Sequence, residues 1–138
     1  MKKEEKKYIM TADTIFFGGI KLSRIKALRD FGNVKKGELG GYISSEKNLS
    51  HYGTCWVSDN AQVRDNAFVG GSAQVRDSAI VCDFAIVRDL ATVSDIAVVG
   101  GYAVVDDDSR VSGESIFGIV EFFKKEKEQN GTKRKKSK

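Results

Sequence analysis

The chain has 138 residues, enough for one domain with flanking segments. Its hydrophobic content of 41% suits a folded protein, but aromatic residues make up only 9% and proline is absent. We therefore expect a thin, regular core built from small side chains. No stretch approaches the roughly 18 apolar residues of a membrane-spanning helix, which argues against a membrane protein.

Charge is divided unevenly along the chain. Residues 1–42 carry ten Lys/Arg against five Asp/Glu, and residues 118–138 carry eight against three. The centre, residues 43–117, carries five against eleven. The net charge of +4 thus describes basic ends around an acidic centre.

The sequence before the acidic centre predicts a charged arm and a β-hairpin. Residues 1–11, the arm, lack the apolar segment of a secretion signal. Cys55 and Cys82 have no metal-binding spacing and suit a reducing compartment, so we expect a cytoplasmic protein. Residues 12–42 contain two extended runs around Gly18–Gly19, a hairpin turn signal. Because a repetitive β structure must cover its open ends, we expect this hairpin to be a cap.

A period of six residues organises residues 43–117. A helix would spread such a period around its axis, whereas a strand places every member on one side. Each unit is therefore a short strand and a corner, and Asp or Gly, both turn residues, occupies the corner two positions after each valine. Alanine recurs at 61, 67, 73, 79, 85, 91, 97 and 103, and valine at 63, 69, 75, 81, 87, 93, 99 and 105.

These units, uninterrupted from Val57 to Val111, resemble the hexapeptide-repeat superfamily. The resemblance implies an all-β fold, a left-handed parallel β-helix with three units per coil. Residues 43–117 would then form about four coils, a prism about 20 Å tall at a spacing of about 4.8 Å. The segments RIKALRDF, GELGGYI, NLSHYGTCWV and DNAQV are further similar to small YdcK-type hexapeptide-repeat proteins of bacteria and phages, which carry a transferase label on fold alone.

Residues 118–138 are predicted to form a short C-terminal segment, with a helix packed on the prism as one option, and a disordered basic tail. The tail offers a candidate contact with nucleic-acid phosphates. No aromatic residue alternates with its cations to stack bases, so a solubilising tail is the simpler interpretation. The four candidate residues are Lys133, Arg134, Lys135 and Lys136.

The residue between each alanine and the following valine must point outward. Two of the three expected faces, and the corner between them, are apolar at these positions, while the remaining face is mostly polar. A contiguous apolar surface of this size marks an interface, either with another copy or with the ends of the same chain. The candidate interface residues are Phe68, Ile80, Phe84, Ile86, Val98, Tyr102, Val104 and Ile116.

Enzymatic chemistry has few candidate residues here. Acyltransferases of the superfamily use a histidine as general base in a groove between subunits, and a base must reach its substrate. The single histidine, His51, lies six residues before Val57, so the period predicts that it points inward beneath Val69. His51 is catalytic only under the acyltransferase alternative.

The corner aspartates are predicted to stack in columns. Carboxylate columns offer oxygen ligands for Ca²⁺, but each aspartate is also an ordinary turn residue, and the glycine-rich Ca²⁺-binding nonapeptide is missing from the sequence. We therefore expect no metal and no cofactor. The columns are Asp59, Asp77 and Asp95; Asp65 and Asp83; and Asp89 and Asp107.

The sequence favours a non-enzymatic binding or scaffold protein that forms a homodimer or homotrimer and binds a partner protein. The phage members of the similar subfamily suggest a phage or mobile-element accessory that inhibits a host defence factor. The alternative is an acyltransferase-like enzyme with its active site between subunits.

Overall fold

A computed structural model describes residues 6–118 of the chain. These residues form an all-β structure with one short 3₁₀ turn, Glu46–Asn48. The strands are β1 Tyr8–Phe17, β2 Ile20–Ala27, β3 Leu39–Ile43, β4 Trp56–Val57, β5 Gln62–Val63, β6 Phe68–Val69, β7 Gln74–Val75, β8 Ile80–Val81, β9 Ile86–Val87, β10 Thr92–Val93, β11 Val98–Val99, β12 Val104–Val105, β13 Arg110–Val111 and β14 Ile116–Phe117.

The short strands from β4 onward wind into a parallel β-solenoid of about four turns, which confirms the predicted fold. Each strand pairs in parallel with the strand one coil later, as Trp56 does with Gln74. Three stacks result: the first face (β4, β7, β10, β13), the second face (β5, β8, β11, β14) and the third face (β6, β9, β12). The left-handed sense of winding stays an expectation from the resemblance.

The core of the solenoid is the predicted column of alanines and valines. The repeat alanines from Ala61 to Ala97 are at most 1% exposed, and the repeat valines from Val57 to Val99 are fully buried. Because each strand is only two residues long, one side chain enters the shaft while its neighbour points outward. The period of six therefore determines which side chains fill the interior of the solenoid.

The N-terminal hairpin extends the second face beyond the first coil. Strand β1 begins at Tyr8, inside the stretch assigned to the charged arm, and pairs antiparallel with β2. Strand β2 pairs antiparallel with β3, which pairs in parallel with β5. Tyr8, Ile25 and Trp56 belong to the same buried cluster, so the hairpin closes the N-terminal end.

The first coil is two residues longer than the others, which corrects one prediction. Leu49 bridges to Val69, twenty residues later, whereas Val57 pairs with Val75, eighteen residues later. The extra residues lie between Leu49 and β4. Leu49, fully buried, therefore occupies the inward position beneath Val69 that counting in sixes assigned to His51.

The described chain ends at Gly118, one residue after β14. The predicted C-terminal segment beyond it and the basic tail, including Lys133, Arg134, Lys135 and Lys136, lie outside the described residues. Within residues 6–118, no helix is long and apolar enough to cross a membrane.

Candidate interaction surface

The outward side chains of the second and third faces form two apolar columns. On the second face Ile80 pairs with Gln62 and Val98, and Val98 pairs with Ile116. Ladder pairing places successive side chains about 4.8 Å apart. Ile80 and Val98 are half-buried by their column neighbours, and Ile116, at the end of the column, is exposed.

The third face has the same construction. Ile86 pairs with Phe68 below it and with Val104 above it. Phe68 and Val104 are exposed, while Ile86 is half-buried between them. No outward strand position on either face carries a charged side chain, so an apolar partner buries no charge there, and Gln62 is the one polar side chain in the two columns.

An aromatic pair joins the two columns across their shared corner. The rings of Phe84 and Tyr102 are stacked, with centroids 5.0 Å apart and planes inclined by 8°. Phe84 is 50% exposed and Tyr102 is 81% exposed. All eight residues of the predicted interface thus lie on two adjacent faces and the corner between them.

The first face differs because the cap covers its start. Trp56 points outward there but is only 1% exposed, packed edge-on against Phe31 and Tyr8. The positions above it are Gln74, Thr92 and Arg110 in successive pairs. This face therefore presents polar groups beyond its first coil.

The hairpin reaches the apolar surface only at its lower edge. The guanidinium carbon of Arg64 lies 3.9 Å from the centroid of the Phe17 ring, at the corner below Phe84. Residues 114–118 belong to the solenoid and do not fold back over a face. Within residues 6–118, the contacts of the hairpin thus leave most of the two apolar columns uncovered.

Several exposed apolar side chains lie outside the predicted set. Leu90 and Ile96 follow the corner aspartates of the other two corners, and the hairpin exposes further residues near its turn. For Leu90 and Ile96 the sequence signal was available, since each follows a corner aspartate, but isolated apolar residues at a surface are common. The further residues are Phe16, Phe17 and Ile20.

His51 serves the cap. Its Nδ1 accepts a hydrogen bond from the Lys7 backbone amide (3.0 Å), and its ring stacks on Tyr8 at 4.1 Å. Because Nδ1 accepts a hydrogen bond, the ring proton is on Nε2, which donates a hydrogen bond to Glu46 Oε1 at 3.1 Å. With both ring nitrogens engaged and 11% of the side chain exposed, His51 holds the hairpin against the first coil.

Three further groups of the cap, Glu46, Lys7 and Cys55, have shifted pKa values. Partial burial opposes ionisation of Glu46, but hydrogen bonds from His51 and Lys6 outweigh it and lower the Glu46 pKa. Burial lowers the pKa of Lys7 and raises that of Cys55. Lys7 Nζ lies 3.4 Å from Cys55 Sγ and also donates to three backbone carbonyls of the enlarged loop. Burial therefore keeps the Cys55 thiol neutral and unreactive.

The corner aspartates stack in the predicted columns and bond to backbone. Each has a φ between 55° and 61°, and Oδ2 of all but Asp107 accepts from the amide one coil above at 2.7–3.1 Å. Among residues 6–118, two groups have metal-ligating atoms close together: Asp65, Cys82 and Asp83, and Asp89, Asp106 and Asp107. Burial, with neighbouring Asp83, raises the pKa of the Cys82 thiol to about 11, which disfavours thiolate ligation.

Comparison with known proteins leaves the chain without an assigned family. No protein-family model matches it, and no curated protein matches it at a significant level.

Proposed function

We propose that the chain is a non-enzymatic binding protein of the hexapeptide-repeat type, wound left-handed, that self-associates through its second and third faces. The observation that supports this is the uncharged apolar surface formed by the two columns and the stacked pair Phe84 and Tyr102. An apolar surface that spans two faces of a small protein is expected to be covered by a partner.

A second copy fits this surface for two reasons. Closed homo-oligomers bury equivalent patches of each subunit, and two adjacent apolar faces on a triangular prism allow each copy to offer one face to each neighbour. Charge lies at the corners, where Arg64, Arg88 and several aspartates form ion pairs within the copy. The proposed assembly is a dimer or trimer.

The test is the mass in solution across a concentration series. We expect Phe84→Asp to weaken self-association at least tenfold, because about 1.4 kcal/mol gives that factor and an unpaired buried carboxylate costs more. Leu90→Asp is the matched control, since Leu90 is an exposed corner residue outside the proposed interface. A chain that stays monomeric at all concentrations would contradict the proposal, as would equal effects of the two substitutions.

The resemblance to YdcK-type proteins of phages supports a wider proposal: the assembly acts in the bacterial cytoplasm and inhibits a host defence factor by binding it. The test is phage plating on a defended host that expresses the chain. We expect plating to rise with the parent chain and with Leu90→Asp, and to fall back with Phe84→Asp. Unchanged plating with the parent chain across defended hosts would contradict this.

The acyltransferase alternative gains no support from the position of His51. A general base in a groove between subunits needs a free nitrogen facing the substrate, and both nitrogens of His51 bond within the cap. Acyl transfer from acyl-CoA that disappears in His51→Ala, with the fold retained, would restore the alternative.

A further inference from the structure

The large buried side chains are concentrated at one end of the molecule. From Ala61 to Val99, the inward repeat positions hold only alanine and valine. Because the free energy of burial grows with the apolar area removed from water, these coils gain less from their interiors than the cap and the first coil do. Within residues 6–118, the large apolar side chains that are at most 1% exposed all lie in the cap and the first coil: Tyr8, Leu22, Ile25, Ile43, Leu49 and Trp56.

Beyond the first coil, each strand depends on the strands directly below and above it. Gln74 of β7 pairs with Trp56 one coil below and with Thr92 one coil above. In a structure of this kind each repeat contacts only adjacent repeats, so an isolated coil has nothing to pack against. Winding is therefore favoured to begin where a coil packs against something outside the repeat.

Two glycines of β3 bring the cap into direct contact with the first coil. A Cβ on Gly40 would lie 2.5 Å from Val57 O and 2.7 Å from Trp56 Cζ2. A Cβ on Gly41 would lie 2.8 Å from Val57 Cγ1. Neither glycine has a positive φ, so glycine is needed here for the close approach of the two chain segments. The backbone of β3 therefore packs directly on β4.

Arg24 links three parts of this junction. Its guanidinium donates to Gly40 O at 2.7 Å and to Asp59 O, at the first corner, at 3.2 Å. It also donates to the Tyr42 hydroxyl at 2.7 Å. Because β1 and β2 are joined by the short turn Gly18–Gly19, their pairing costs little chain entropy. The cap can thus form early and hold the first coil in place.

We propose that the cap and the first coil form the folding nucleus of the chain, and that the later coils wind onto this nucleus in order. The competing starting point is the far end of the solenoid. A nucleus at the cap makes the stability of the coils decrease with distance from β4. The proposal does not depend on the interface of the second and third faces, since it rests on the cap and on strands of the first face.

Matched substitutions on the first face test the order of winding. Val57→Ala and Val93→Ala remove the same atoms from fully buried positions, two coils apart in one stack of strands. We expect Val57→Ala to slow folding by about fivefold or more, and Val93→Ala to change the folding rate by less than about twofold while unfolding becomes faster. Trp56, the single tryptophan, reports both rates by stopped-flow fluorescence. Equal effects on the folding rate, or a larger effect of Val93→Ala, would overturn the proposal.

Hydrogen exchange of the unmodified chain tests the same order, and it decides the question even if Val57→Ala fails to fold. The amides of Trp56, Gln74 and Thr92 each donate to a carbonyl one coil later, at 3.1, 2.9 and 3.0 Å, so bond length predicts no gradient. After correction for intrinsic exchange rates, we expect protection to fall in that order, by about tenfold or more from Trp56 to Thr92. Uniform protection would overturn the proposal. Protection that rises toward Thr92 would also overturn it and would place the nucleus at the far end.

Discussion

At the scale of single residues, the corner aspartates perform two tasks at once. Each adopts a left-handed backbone conformation, with Asp77 at a φ of 61°, and Asn and Asp tolerate this region better than other residues with a side chain. The carboxylate of Asp77 also accepts from the Asp95 amide at 2.9 Å. Asp therefore suits a corner for two reasons: it tolerates the left-handed conformation, and its carboxylate forms a hydrogen bond to the next coil.

Substitutions at Asp77 separate these two tasks. Asp77→Gly removes the hydrogen bond but keeps the conformation accessible, whereas Asp77→Ala removes both. We expect Asp77→Ala to be less stable than Asp77→Gly by about 1 kcal/mol, the cost of a left-handed conformation for a residue with a Cβ. Urea denaturation measures this difference, and a glycine variant less stable than the alanine variant would contradict it.

Glu46 makes the cap sensitive to acid. Its pKa is lowered in the folded chain from the ordinary value of 4.5, so the ionised form contributes stability at neutral pH. This contribution is complete above pH 4.5 and is lost as the pH falls through the lower folded pKa. We expect the stability advantage of the parent chain over Glu46→Gln to be constant from pH 7 down to pH 4.5 and to shrink as the pH falls further. Denaturation midpoints measure it, and an advantage that stays constant below pH 4.5 would contradict it.

At the scale of elements, the join between cap and solenoid depends on the enlarged first coil. The two extra residues enlarge the loop between Leu49 and β4, whose carbonyls accept hydrogen bonds from Lys7 Nζ, the shortest to Cys55 O at 2.8 Å. The same loop places His51 against Tyr8. The two extra residues of the first coil thus provide the loop against which the hairpin packs.

Substitutions at Leu49 and His51 test which of the two side chains occupies the inward position beneath Val69. Leu49→Ala should reduce the free energy of unfolding by about 2–5 kcal/mol, since it leaves a cavity in the shaft. His51→Ala should cost less, about 1–2 kcal/mol, because it removes two hydrogen bonds that are partly replaced by water. Chemical denaturation compares them. If His51→Ala were the more damaging change, His51 rather than Leu49 would occupy the core position.

At the scale of the whole molecule, apolar and charged side chains occupy different parts of the solenoid. Apolar side chains fill the shaft, apolar columns cover two outer faces, and charge is placed at the corners. The centre carries a net charge of about −6 from residues 43–117. Two copies that meet through apolar faces must therefore approach against mutual repulsion, which salt screens.

Salt dependence distinguishes an apolar interface from a charged one. If self-association uses the second and third faces, it should strengthen as salt rises from low to about 1 M, because repulsion is screened and apolar burial is retained. Sedimentation across the salt series measures this. Association that weakens steadily with salt would indicate an interface made of ion pairs instead.

The sequence alone determined the interior, the direction of each repeat side chain and the corners. These features are local: a strand alternates its side chains with a period of two, and Asp and Gly favour the turn at each corner. Residues such as Val87, Ile86 and Asp89 could therefore be assigned to shaft, face and corner without any knowledge of long-range contacts. The outward positions of six predicted interface residues followed from the same alternation, whereas Phe84 and Tyr102 were placed by the corner positions they follow.

Only the tertiary structure decided the length of the first coil and the contacts of the cap. A period of six read backward from Val57 assigns the inward position to His51, and only the pairing of Leu49 with Val69 shows that Leu49 occupies it. The burial of Trp56 depends on a hairpin distant in sequence. These features rest on contacts between remote segments, whose free energies no local pattern encodes.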